Sequence, residues 1–159
     1  MNFADTNWLT ALYIEPEPDH IADVKRKETV DKCMRRQSGQ IGLSHVVLLE
    51  SRNVFSRITA MPEPPEWKLL ENDFGGRLYL DPMNWDLLRH ECYRLFSRYG
   101  YKMTLGTFDT AVVASAKLGG ATRLLSFDPI AKALAAAEGL EVFPTLDPAE
   151  KRLLAKLRA

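Results

Sequence analysis

The sequence predicts one α/β domain: an open, mostly parallel sheet of four or five strands with helices on both faces. Three observations carry this reading. Short apolar runs such as Ile41-Gly42-Leu43, Leu78-Tyr79-Leu80 and Leu124-Leu125 alternate with longer stretches of helical apolar spacing. The chain opens with a strand pattern that passes directly into a helix pattern, the first half of a βαβ unit. At 159 residues, 46% apolar and 26% charged, it has the length and balance of a single globular domain with a real core.

The first strand covers residues 2–5 (NFAD), with Asp5 at its carboxyl end. Thr6 is placed to cap a helix to about Ile14, with Trp8, Leu9, Leu12 and Tyr13 at helical spacing. Glu15-Pro16-Glu17-Pro18 breaks it. Residues 19–36 read as a mostly polar helix with Ile21, Val24, Val30 and Met34 as a sparse apolar side. Its basic runs, Lys25-Arg26-Lys27 and Arg35-Arg36, fit a solvated face, with a phosphate-contacting patch as the alternative.

After the strand at residues 41–43, Ser44 opens a long helix to about Thr59. The run Met61-Pro-Glu-Pro-Pro65 is a rigid loop within the domain rather than a linker, because no separate complete pattern follows it. A short helix over 67–74, a turn at Gly75-Gly76 and a strand at 78–80 lead into a helix over 84–99, with Leu87, Leu88, Leu95 and Phe96 turned inward. Asp109 opens the next helix, whose small and apolar residues suggest close packing on both sides. Leu124-Leu125 is the core of a buried strand ending at Ser126-Phe127-Asp128. Pro129 suits the first turn of the helix that follows, and Gly139 ends that helix. A last strand spans 140–143, and an amphipathic helix over about 148–158 carries Leu153, Leu154 and Leu157.

Composition narrows the function classes. Twenty-one basic and 21 acidic residues give a formal net charge of zero, so nucleic-acid binding would need a local basic patch. No apolar run approaches the roughly 18 residues of a membrane span. The opening MNFADTNW lacks the basic region of a signal peptide. Cys33 and Cys92 stand far apart, as expected for two reduced thiols in a cytoplasmic protein.

Four acids stand where an α/β protein carries chemistry. Asp5 and Asp128 follow strands, and open α/β sheets bind ligands beyond the carboxyl ends of their strands. Asp109 stands at a helix mouth, which commonly faces the same edge. Glu50 has Val46, Val47, Asn53 and Val54 as helix-face neighbours, and a carboxylate on an apolar face is costly unless paired or bound to a cation. Pairing with Arg57 or another basic group is the structural alternative. Asp81 also follows a strand, but Pro82 and Asn84 make it a helix-entry residue, and His90 is an ordinary helix histidine. A haloacid-dehalogenase-type phosphohydrolase also begins with a strand-end Asp, but it needs a second Asp where Asn7 stands.

At these positions the chain resembles the PIN-domain nucleases, the family that includes the VapC-type toxins of bacterial toxin–antitoxin pairs. Asp5-Thr6-Asn7 resembles the family's opening Asp-Thr-Asn, and Glu50-Ser-Arg-Asn53 its helical Glu-x-x-Asn. Thr107-Phe-Asp109 through Ala114-Ser-Ala116 is similar to its third acidic motif. Ser126-Phe-Asp128 is similar to its Thr-x-Asp, with a Gly-Leu-x-Val ending at Gly139–Val142. The ordered set spans nearly the whole chain. Ser126 departs from the commoner Thr, Val112 stands where many relatives carry His, and residues 61–76 lengthen the middle.

The resemblance implies a metal-dependent endoribonuclease with a four-acid Mg²⁺ or Mn²⁺ site. Asp5 and Asp109 would be direct metal ligands, Asp128 would ligate directly or through water, and Glu50 would hold a metal-bound water or help deprotonate it. Thr6, Asn7, Asn53 and Ser126 would be supporting hydrogen bonders. It also implies an RNA substrate cut to a 5′-phosphate and a 3′-hydroxyl, a cognate antitoxin protein and a homodimer. The physics agrees on the ion: clustered carboxylates repel unless a hard cation neutralises them. The competing expectation is a PIN-like binding module with an idle acidic site.

Overall fold

The computed structural model describes residues 1–159. It contains a five-stranded, all-parallel sheet in the order β3-β2-β1-β4-β5. The strands are β1 (Asn2–Ala4), β2 (Ile41–Leu43), β3 (Leu78–Leu80), β4 (Arg123–Leu125) and β5 (Glu141–Phe143). Between β1 and β2 lie α1 (Thr6–Tyr13) and α2 (Ile21–Arg36); between β2 and β3 lie α3 (His45–Thr59) and α4 (Pro65–Asn72). Helices α5 (Trp85–Tyr99) and α6 (Thr107–Leu118) return the chain to β4. Helix α7 (Pro129–Ala137) leads to β5, and α8 (Pro148–Arg158) closes the chain.

Strand order and handedness together place the helices. The chain steps outward from β1 to β3, then crosses back to β4 and steps the other way to β5. Right-handed crossovers therefore put α1–α4 on one face and α5–α7 on the other. Most packing follows that division: α1 contacts α2, α3 and α4, while α5 packs on α6, α6 on α7 and α7 on α8; α3 and α6 meet across it. The direction reverses between β1 and β4, the place where open α/β sheets form a crevice.

The three-residue strands are held by close packing at the centre. Phe3 on β1 lies opposite Gly42 of β2 and Leu124 of β4. A Cβ at Gly42 would come within 2.4 Å of the Phe3 ring, and one at Gly119 within 2.5 Å. Those glycines are thus the space into which the ring fits. Trp8, Leu9, Phe55, Leu95, Leu124, Leu125 and Leu134 are fully buried in the same core.

The sequence placed every element, and the structure corrects several ends. Asp5, not Thr6, caps α1, its Oδ1 accepting from the Thr6 N–H at 2.7 Å. Strand β4 stops at Leu125, and Asp128 caps α7 through the Ala131 N–H at 2.7 Å. Asp109 lies in the first turn of α6, whose cap is Gly106. Asp81 is not the helix entry, since Asn84 caps α5. Leu87 is exposed, and the inward face of α5 is Leu88, Cys92, Leu95 and Tyr99, one complete i, i+4, i+7, i+11 stripe. Both cysteines are free, and no helix is long and apolar enough to cross a membrane.

Candidate functional site

The crevice at the β1–β4 boundary is a cleft of about 770 Å³, walled by α1, α2 and α3 and by the first turn of α6. Asp5, Glu50, Asp109 and Asp128 all border it. Each reaches it from a different element. Asp5 is the first residue past β1, and Asp128 ends the loop after the neighbouring strand β4. Glu50 is on the α3 face that continues through Val54, Arg57 and Ile58. Asp109 projects from the first turn of α6.

Short hydrogen bonds lock the strand-end part. The Asp5 N–H donates to Leu125 O at 2.9 Å, tying the two strand ends together. The Ser126 hydroxyl donates to Asp5 Oδ2 at 2.7 Å and accepts from the Asp128 N–H at 3.0 Å, which fixes the direction of its proton. Asn7 Oδ1 accepts from the Phe127 N–H at 3.0 Å. Phe127 in turn stacks on Trp8, with 5.5 Å between ring centroids. Ser126 and Asn7 thus hold the loop that carries Asp128. Thr6 lines the cleft with its hydroxyl buried and unbonded. Asn53 is exposed and not part of the wall.

The electrostatics of the cluster are unusual. Neither Glu50 nor Asp109 makes an ion pair, and the anticipated Glu50–Arg57 pair is absent. Burial pushes the Asp5 carboxyl up to about 6 against the opposing hydrogen bonds from Ser126 and Thr6, with Glu50 and Asp128 adding repulsion. Asp109 is likewise raised to about 6 by burial, then by the charges of Asp128 and Glu50. These shifts are those of acids gathered without a counter-charge.

Hard oxygen donors of this kind suit Mg²⁺ or Mn²⁺ rather than a soft metal. No three side chains close on one point as a ready-made ligand shell. An ion held by these acids would keep waters among its ligands, as Mg²⁺ does. The residues present therefore fit a hard divalent ion bound in a wet cleft.

Some wall residues were not assigned to the cleft by the sequence. Glu66 of α4 borders the cleft with Oε2 buried and unbonded. Arg26 sits in a basic run that fits a solvated face equally well, yet its guanidinium lies 5.2 Å from the Phe127 ring centroid, at the cleft. The helical register from Glu50 through Val54 to Arg57 was the available signal for Arg57.

Comparison with known proteins agrees with this architecture. Among solved structures, VapC20 of Mycobacterium tuberculosis, described as a sarcin–ricin loop cleaving toxin, superposes with a TM-score of 0.67 at 16% identity. The match covers 89% of this chain and 98% of that one. VapBC2 of Rickettsia felis, bound to a DNA fragment from its promoter, gives 0.63 at 14% identity, covering 89% and 96%. FitAcB of Neisseria gonorrhoeae gives 0.60 at 16% identity, covering 90% and 96%. At such identities these likenesses establish the fold. No curated protein matches the sequence significantly. The PIN domain family model matches residues 3–137, a span that runs from β1 through α7 and takes in all four acids, and the chain belongs to the PIN-domain family.

Proposed function

We propose that the protein is a divalent-metal-dependent endoribonuclease that hydrolyses RNA phosphodiester bonds, and that it acts as the toxin of a toxin–antitoxin pair. One observation carries the enzymatic part: four carboxylates from four separate elements border one cleft, and neither Glu50 nor Asp109 has a cationic partner in the protein. Such a cluster is held against its own repulsion by the fold and lacks the charge that would relieve it.

In this reading Asp5, Asp109 and Asp128 hold the ion and Glu50 faces the attacking water. When bound, Mg²⁺ or Mn²⁺ supplies positive charge for the phosphate and lowers the pKa of water. The protein does the rest. Ser126 orients Asp5 by donating its hydroxyl proton to Oδ2. The Ala131 N–H engages Asp128 Oδ2 and leaves Oδ1 for the cleft. Glu50, on a partly buried helix face, accepts the proton of the attacking water in this reading. Membership of the PIN-domain family supports the nuclease activity. The likeness to VapC20 and to the VapBC2 and FitAcB proteins supports the toxin role and an antitoxin partner.

The test is RNA cleavage by the wild type and by Asp109→Asn, with Mg²⁺, with Mn²⁺ and with chelator. Asn keeps the volume and removes the charge. Cleavage should need the ion and should fall in the variant by more than the roughly 100-fold that loss of a mere supporting partner costs. Metal-independent cleavage, or undiminished cleavage by a folded variant, defeats the assignment. A wild type that neither cuts RNA nor gains stability from Mn²⁺ identifies an idle binding module instead.

A further inference from the structure

We propose that Arg26 and Arg57 are the RNA-phosphate contacts of this cleft, one from each of two walls, an assignment that rests on the nuclease reading. The cleft is lined by eight carboxylates against two guanidiniums and one imidazole. A polyanion entering so acidic a space needs fixed positive charge, and with formal net charge zero the molecule supplies none globally. The two arginines are the only Lys or Arg side chains on the wall.

Both are free for the task, and their neighbours are not. Arg57 is exposed and has no ion pair or hydrogen bond within the protein, whereas Arg52 on the same helix bonds Ser56 and the Pro62 carbonyl and covers the Trp67 ring. In the Lys25-Arg26-Lys27 run, Lys27 is engaged by the Ala11 and Leu12 carbonyls at 3.3 and 3.2 Å and by Asp31. Lys25 does not reach the cleft. Arg26 reaches the cleft, with its guanidinium over the face of Phe127, between Ser126 and Asp128. A stacked guanidinium keeps its donors in plane and free at the edge, the geometry that phosphate oxygens accept.

Position separates the two roles. Arg26 is anchored beside Asp128, on a helix packed against one side of α1. Arg57 is seven residues beyond Glu50 on α3, about 10 Å along that helix. The pair can therefore hold phosphates at two places along a strand whose scissile bond lies among the acids. No base edge is engaged by either contact, so they would set register rather than sequence preference.

The experiment measures salt-dependent binding of a fluorescein-labelled single-stranded RNA oligonucleotide to the Asp109→Asn protein, which leaves the RNA uncut. Adding Arg26→Gln or Arg57→Ala should lower the magnitude of the log–log salt slope by about 0.7 each and weaken binding about fivefold at 0.1 M salt. Arg57→Lys should keep most of the slope, and Arg152→Ala, at an exposed position of α8 outside the cleft, should keep all of it. Slopes and affinities unchanged in both cleft variants overturn this assignment while leaving the nuclease reading intact. Failure of the parent protein to bind the RNA at all overturns both.

Discussion

Two acidic regions of this molecule use the same chemistry to opposite ends. At the α5–α6–α7 junction Glu138 is nearly buried and takes hydrogen bonds from Lys117 Nζ at 2.6 Å, from the Tyr99 hydroxyl at 2.5 Å and from Arg94, with Arg98 nearby. Glu91 shares Arg94 and Lys117. Burial would raise the Glu138 carboxyl, but those donors outweigh it and hold it down to about 2. In the cleft, burial acts on Asp5 and Asp109 without cationic donors to oppose it, and both rise to about 6. Every carboxylate at the junction is neutralised by the chain itself. Asp5 and Asp109 in the cleft have no cationic partner in the chain, the arrangement expected of a binding site rather than of a structural ion network.

The strongest way to break this contrast is to supply the missing charge. Mn²⁺ or Mg²⁺ at 100 times its dissociation constant should stabilise the wild type by about 2.7 kcal/mol, because the ion binds only the folded arrangement. For a domain of this length that is a rise of roughly 5–10 °C in Tm. Asp109→Asn should gain much less from the ion. Its metal-free form should melt no lower than the wild type, because one repelling charge is gone. Glu138→Gln should respond to metal as the wild type does. Equal metal-induced shifts in the wild type and Asp109→Asn would remove Asp109 from the ion site.

The junction provides the reciprocal test. Glu138→Gln keeps the shape of the side chain but leaves Arg94, Lys117 and Tyr99 facing a neutral group. Hydrogen bonds to charged partners contribute about 1.5–3 kcal/mol each, but Arg94 and Lys117 are partly exposed, still reach Glu91 and can be hydrated. A net loss of about 2 kcal/mol is expected, read as a Tm lowered by roughly 4–8 °C, with RNA cleavage at 25 °C unchanged. An unaltered Tm would show that the junction is no better stabilised than the cleft.

The two regions also differed in how far the sequence disclosed them. The cleft acids were legible because each stands at a position set by local pattern: past an apolar strand, in a first helical turn, on an apolar helix face. The strand order then brings those positions to one crevice. The caps were misassigned because a Thr or Asp beside a helix start satisfies the same local rule. Only tertiary bonds, such as that from Ser126 to Asp5, decide which one turns toward the backbone. The Glu138 network could not be read, since Glu91, Arg94 and Arg98 share a spacing on α5 but Lys117 lies on α6 and Glu138 caps the end of α7, and only tertiary packing brings them together. The buried Lys132–Glu150 pair at 2.9 Å was hidden for the same reason: each residue reads as surface polar until α8 is laid on α7.

The smallest expected effect is the pH dependence, and here the two regions work in separate windows. Asp5 and Asp109 have folded-state values near 6 against 3.8 for an unperturbed Asp. Between about pH 4 and 6 the folded protein therefore holds more protons than the unfolded chain, and stability falls as pH rises through that window. Glu138 runs the other way. Its folded value near 2 lies below the ordinary 4.5, so its contribution is present above that value and is lost as pH falls towards 2. Metal-free wild type should then melt highest near pH 4 to 4.5 as far as these groups decide it. Asp109→Asn removes one of the two groups acting in the upper window, so its Tm should draw ahead of the wild type as pH rises from 4 to 7. Because Asp109 borders an open cleft, the gap is expected to reach only about 1 kcal/mol, or roughly 2–4 °C. Saturating Mn²⁺ should close or reverse it. Thermal melts of both proteins across pH 3 to 7.5, with chelator and with Mn²⁺, measure this directly. A difference that stays constant with pH would mean that Asp109 keeps an ordinary carboxylate's affinity for its proton, and that the cleft carries no unrelieved charge at that position.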